Sequence, residues 1–173
     1  ICPEKALEAM IHQTEARHPG ISSVGRDGFG YYDRLGYVPY PEVHEATAKT
    51  LEYAYADWCV ARFADSIGRK EIADTYYRKA LNYRNLYYPD YGFMWAKDAN
   101  GKWRDAFDAT EWGGPFTEGS SWHWTWSVLH DPEGLSRLMG GHTAMEARLD
   151  SMFTAPNTYN YGCLLYTSPS PRD

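Results

Sequence analysis

Two helical stripes separated by little more than one glycine constrain the fold of this chain more than any other feature. Over about 42–67, Leu51, Tyr55, Trp58 and Arg62 recur at helical spacing, with Ala54 and Phe63 beside them. Gly68 is a natural C-terminal stop. A second stripe follows at once over about 70–88, built from Ile72, Tyr76, Ala80, Tyr83 and Tyr87 and flanked by Ala73, Tyr77, Leu81 and Tyr88. So short a connection makes the two helices antiparallel neighbours, an αα-hairpin. Pro89-Asp90-Tyr91-Gly92 then stops the pair.

The remaining signals are shorter. Residues 3–16 read as a helix with Pro3 in its first turn and Ala6, Leu7, Met10 and Ile11 on one face. Residues 21–41 are rich in Gly, Tyr and Pro and read as a long ordered loop, unusual in a compact domain unless it builds a site. A tight hairpin is expected where Asn100-Gly101 lies between 93–97 and 102–104. Helices are expected again over about 120–129, 132–139 and 141–153. The predicted class is all-α with a small β-hairpin insertion, and helix pairs with long loops suggest an α/α toroid. Residues 163–173, with two closely spaced prolines and no periodicity, read as a non-native tail similar to a translated sequencing adaptor.

A length of 173 residues suits one ordinary domain. The formal net charge of −6 argues against a nucleic-acid partner, which would want a clustered basic face. No apolar run approaches the roughly 18 residues of a membrane span, and no targeting signal is visible from Ile1 onward. The three cysteines have no zinc or disulfide spacing; Cys59, beside Trp58, is most simply a small buried hydrophobe. Aromatics make up 16% of the chain, with 7 Trp and 15 Tyr, although its mean hydropathy is −0.61. Such amphipathic rings suit either wedges between helices or a surface that meets a polar ring ligand.

Five Trp (103, 112, 122, 124 and 126) fall within one stretch that also holds Asp105, Asp108, Glu111, Glu118 and His123. Carboxylates among indoles, after Gly113-Gly114-Pro115 and at a helix start, fit a sugar site; a packing seam with solvated acids fits them too. Glycoside cleavage needs one carboxylic acid kept protonated to protonate the leaving oxygen, and Glu118 is the preferred choice. Exclusion of water by Trp112 and Trp122 is expected to raise its pKa by more than the following helix's N-terminus, worth about 1 kcal/mol, lowers it. A bland role, complementing that helix end, stays open. His123 and His130 each suit a structural hydrogen bond better than a ligand role. Asp131-Pro132 suits a helix cap, and Asp57 is either a buried hydrogen-bonding group or part of an exposed face.

Several ordered stretches carry a resemblance. They are 36–39 (Gly-Tyr-Val-Pro), 50–59 (Thr-Leu-Glu-Tyr-Ala-Tyr-Ala-Asp-Trp-Cys), 82–86 (Asn-Tyr-Arg-Asn-Leu), 92–94, 117–126 (Thr-Glu-Gly-Ser-Ser-Trp-His-Trp-Thr-Trp) and 135–141 (Leu-Ser-Arg-Leu-Met-Gly-Gly). Together they resemble glycoside hydrolase family 92, collinearly over about 1–162. The resemblance implies that 1–162 are a middle portion of an (α/α)6 catalytic barrel. It implies exo-hydrolysis of α-mannosides of glycans with inversion, a bound calcium ion, and an extracellular or periplasmic parent. Glu118 aligns with the general acid, and Trp112, Trp122 and His123 are taken as substrate-binding. Ser120-Ser121 and His123 depart from the Asn-Ala and Gln that the family often has. The catalytic base, the calcium ligands, a sugar-gripping Trp-Asp segment and an N-terminal β-sandwich are expected to lie outside this chain. Three other readings stay open. They are a non-catalytic carbohydrate-binding toroid, another toroid glycosidase or a lyase, and a structural helical array. The lyase would need a basic pocket that this segment lacks, and the array a fixed repeat.

Overall fold

The computed structural model describes residues 2–21, 24–155 and 160–161. Helices dominate these residues, beside two pairs of two-residue strands. The first helix, α1 (Pro3–Gln13), has Pro3 in its first turn and buries Leu7. It ends earlier than periodicity suggests because Thr14 turns back, its N–H and its hydroxyl both donating to the Ile11 carbonyl.

The segment expected as loop contains a helix, α2 (Phe29–Leu35), bounded by Gly28 and Gly36 in left-handed conformations. Its sequence lacks an apolar stripe; what holds it is one fully buried ring, Tyr32, whose hydroxyl donates to Asp57 at 2.7 Å. At Gly36 a β-carbon would sit 2.6 Å from Asn85 Nδ2, which donates to the Gly36 carbonyl, so glycine is required where the loop meets the helical pair.

The αα-hairpin forms as expected from α3 (Ala46–Ser66) and α4 (Lys70–Lys79), turning at Gly68 with φ +79°. Of the anticipated stripe on α3, Leu51 and Ala54 are buried, but the rest of the buried face is rotated from it. Thr47, Thr50, Ala54, Asp57, Ala61 and Ala64 are buried, whereas Tyr55 and Arg62 are exposed and Trp58 and Cys59 are half-buried. Small side chains let a neighbouring helix approach closely, and large rings are left to the flanks. The second helix is also shorter than its stripe. It tightens into a 3₁₀ segment (Ala80–Leu86), which buries Tyr83 and Leu86 completely, and then into β1 (Tyr87–Tyr88).

Strand β1 pairs antiparallel with β2 (Phe93–Met94), Tyr87 opposite Met94. The hairpin expected at Asn100-Gly101 forms in a shortened version, with Lys97 bridged to Trp103, and Asp98 and Arg104 N–H donating to the Lys102 and Ala96 carbonyls. Strand β3 (Glu111–Trp112) pairs parallel with β4 (Asn160–Tyr161). A single helical turn, α5 (Ser121–Trp124), follows in place of the ten-residue helix expected over 120–129. It is pinned to β2 from both ends: Ser121 Oγ donates to the Met94 carbonyl, and Met94 N–H donates to Thr125 Oγ1. The last helices, α6 (Pro132–Met139) and α7 (His142–Thr154), fall where periodicity placed them. The main core gathers Leu51, Tyr83, Leu86, Met94 and Leu135 from four of these segments, and Val128 from the connection between α5 and α6. Residues 163–173 lie outside the described residues.

Candidate active site

The Trp-rich stretch divides into rings that pack the body and rings around one loop. Trp103 stacks on Tyr88 at 4.4 Å with Lys97 Nζ 4.1 Å from its ring centre, and Trp126 packs against the main core. Both belong to the packing seam. Trp112 directly precedes residues 113–119, and Trp122 and Trp124 lie on α5 just after them. Trp112 meets the His123 ring edge-on at 5.3 Å, Trp122 stands edge-on to Phe93 at 4.7 Å, and Trp124 Nε1 donates to the Thr117 carbonyl at 2.9 Å.

The four carboxylates of the stretch have different fates. Asp105 pairs with Lys102 in solvent. Glu111 holds Arg104 at 2.6 Å, and the guanidinium lies over Trp95 and Tyr40. Asp108 is a local brace. Burial pushes its carboxyl up, but hydrogen bonds from Thr110, Asn160 and the Glu111 backbone outweigh that and hold it below the usual carboxylate value. Those bonds, with Asn160 N–H donating to the Thr110 carbonyl, fasten β4 to the loop's root. Glu118 is left over. Among the described residues its carboxylate has no hydrogen-bond or ion-pair partner.

Its backbone is strained as well. Glu118 has φ +43°, a left-handed conformation uncommon for any residue but glycine, asparagine or aspartate. Such outliers persist where the surroundings over-determine them, and they cluster at functional sites. One expectation fails here. Glu118 is exposed, not shut beneath Trp112 and Trp122, so this chain does not itself provide the water exclusion anticipated for it. Trp122 turns to Phe93 and Trp112 to His123 instead. Nor does a helix macrodipole act strongly, since α5 has only four residues.

The remaining site residues are placed by α5. Ser120 caps it, and His123 returns the contact, its Nδ1 accepting from Ser120 N–H at 3.2 Å in a capping box. His123 is exposed and so has a structural bond without being withdrawn from solvent. His130 is structural, its Nε2 2.8 Å from the Ala80 carbonyl. Asp131 caps α6, accepting from Gly134 N–H at 2.9 Å. Sequence reasoning missed Trp124, whose indole grips the loop, and the N-terminus of α3, which binds the loop's carbonyls; Gly119, squeezed against Trp124, was the available signal.

The chain has counterparts among known proteins. Residues 2–168 match the glycosyl hydrolase family 92 catalytic domain, ending inside the segment read as a tail. The structure of an inverting mannosidase of that family from Bacteroides thetaiotaomicron VPI-5482 is 81% identical with a TM-score of 0.86, and the match covers 94% of this chain and 22% of that one. A family 92 α-mannosidase from Bacteroides thetaiotaomicron, solved with mannoimidazole, is 30% identical with a TM-score of 0.80, over 92% of this chain and 21% of that one. A protein described as an uncharacterized secreted glycosidase from Arthroderma benhamiae is 27% identical over 84% of this chain and 23% of its own length. The chain thus spans less than a quarter of each relative's length, and it belongs to glycosyl hydrolase family 92 as a stretch of the catalytic domain.

Proposed function

We propose that the protein is an exo-α-mannosidase that hydrolyses terminal α-mannosides of glycans with inversion, and that Glu118 is its general acid. The observation that carries this is the fate of the four acids: three are consumed by partners, and the fourth stands unpartnered on a strained, multiply tethered loop. In the reaction Glu118 gives its proton to the glycosidic oxygen as the bond to C1 breaks. A water attacks C1 from the opposite face and passes its proton to a second carboxylate, with the two carboxyls about 6.5–9.5 Å apart.

No residue of this chain is assigned as that base. The reading places it in parts of the enzyme that this chain does not span, together with the rest of an (α/α)6 barrel and the cover that closes water off from Glu118. Residues 1–162 form the catalytic-domain portion in this reading, and 163–173 a non-native tail. Trp112 and Trp122 offer ring faces to the sugar, and His123 a polar contact beside them. A secreted relative and the glycan substrate support an extracellular or periplasmic setting. No described helix is long and apolar enough to cross a membrane.

Family resemblance also implies calcium, a hard cation that wants about six to eight oxygen ligands. Among the described residues no three His, Cys, Asp or Glu side chains gather to hold a metal, so they do not fit the ion. Its ligands belong to the unspanned parts, and no step is assigned to it here.

Mannose release from α-linked mannobioses by the full-length protein tests this reading. Glu118→Gln should lower kcat about 10²–10⁴-fold while sugar binding survives, and a calcium chelator should abolish release. Unchanged turnover in the variant would remove Glu118 from the mechanism. The exposure of Glu118 also favours a second reading, a carbohydrate-binding toroid without catalysis. That reading predicts binding of mannosides with no release and indifference to Glu118→Gln.

A further inference from the structure

Glu118 is unpartnered, but every residue around it is tied. Gly113 N–H donates to the Gly119 carbonyl at 2.8 Å, closing the loop across its neck, and Phe116 N–H donates to the Gly113 carbonyl at 3.0 Å. The unpaired N–H groups at the start of α3 meet the same loop: Glu45 N–H donates to the Gly114 carbonyl, and Thr47 and Ala48 N–H both donate to the Pro115 carbonyl at 3.0 and 3.2 Å. These bonds fix the loop's near side. On the side where the acid sits, the Gly119 carbonyl is held by that neck bond, and one ring meets the residues on both sides of the acid.

Trp124 holds both neighbours of Glu118. Its indole N–H donates to the carbonyl of Thr117, the residue before the acid. The edge of the same ring fills the space beside Gly119, the residue after it. A β-carbon on Gly119 would lie 3.0 Å from Trp124 Nε1 and 3.1 Å from Cδ1. The ring is itself anchored, packing against the main core. Resting on the assignment of Glu118 as general acid, we propose that Trp124 is a positioning residue for that acid. Its N–H orients the Thr117 peptide, its ring edge locates Gly119, and together they hold the left-handed backbone that aims the Glu118 carboxyl at the leaving oxygen.

The role has a signature that general damage does not share. Cleavage of a mannobiose expels a sugar hydroxyl and needs the acid's proton, whereas an activated aryl mannoside such as 2,4-dinitrophenyl α-mannoside expels a stable phenolate and does not. In the full-length protein, Trp124→Phe keeps most of the ring and removes the donor. It should lower kcat on mannobiose about tenfold to hundredfold, the scale of a small misplacement of a catalytic group. KM should stay near the wild-type value, and kcat on the aryl mannoside should fall far less. Unchanged kcat on mannobiose, or an equal partial loss on both substrates, overturns the proposal. Should Trp124→Phe be inactive on both, Gly119→Ala decides, because its added methyl displaces the indole from the other side. A selective loss on mannobiose then upholds the role of Trp124, and an equal loss or none overturns it. Glu118→Gln on the same two substrates separates the premises. If it does not spare the aryl mannoside selectively, the acid assignment fails, whatever Trp124 does.

Discussion

Asp57 sits in the middle of α3 with no exposed surface, held by groups from the segment before it. Arg26, itself 5% exposed, brings a guanidinium nitrogen to 2.8 Å from Oδ1, and Tyr32 donates to Oδ2. The guanidinium also donates to the Tyr53 carbonyl and lies 4.7 Å from that ring's centre. Burial pushes the Asp57 carboxyl above its ordinary value against the pull of Arg26. The charged form is therefore held at a cost, and the pair cannot lose one member cheaply. Asp57→Ala should destabilise the full-length protein by about 3–5 kcal/mol in urea unfolding, whereas replacing both Asp57 and Arg26 with apolar residues should cost markedly less. Equal losses for the single and the double variant would mean that the unpaired charge is not the cause. The sequence left Asp57 undecided because its partner lies in a segment with no periodicity. It singled out Glu118 more readily, since acids among indoles can be seen locally. It misjudged the surroundings of Glu118, since whether a ring covers a carboxylate depends on contacts between elements.

At the scale of elements, periodicity found the helical pair but misplaced part of its inner face on α3. A stripe is read from large side chains, yet α3 buries its alanines and threonines and turns Tyr55 outward. Caps were more legible, because they depend on neighbours in sequence. Asp131 before Pro132 is the case in point: its carboxylate accepts from Gly134 N–H and also from Tyr83 and Arg84. Burial raises its pKa, but these bonds outweigh it and leave the folded-state value below 3.8. A carboxyl lowered on folding stabilises the fold above its unfolded value, and that contribution is lost as pH falls through the folded value. Asp131→Ala should cost about 1–2 kcal/mol at neutral pH. The gap between variant and wild type should shrink once pH drops well below 3.8. A gap independent of pH would show that Asp131 acts by its shape and not by its charge.

Across the whole molecule, the helices at the C-terminal end have bounds close to those expected, but nothing local said which faces they would cover. Helix α7 buries none of its residues fully. It is held by Arg148, whose guanidinium lies 4.6 Å from the Phe93 ring centre and donates to the Tyr91 carbonyl, and by Met145 against the main core. Phe153 near its C-terminal end is 76% exposed, and Leu129, ahead of α6, is 77% exposed. Rings and leucines so bare are usual for a protein only singly, and in the (α/α)6 barrel proposed above they would be contacts for further helices. If those helices cover α7, Phe153→Ala should destabilise the full-length protein by about 3 kcal/mol, as for a buried aromatic. If the ring stays in solvent there as it does here, the loss should remain within about 0.5 kcal/mol. The small loss would leave α7 as an outer strut, and the proposed barrel would then close on another face, such as that of the αα-hairpin with Tyr55 exposed and Trp58 half-buried.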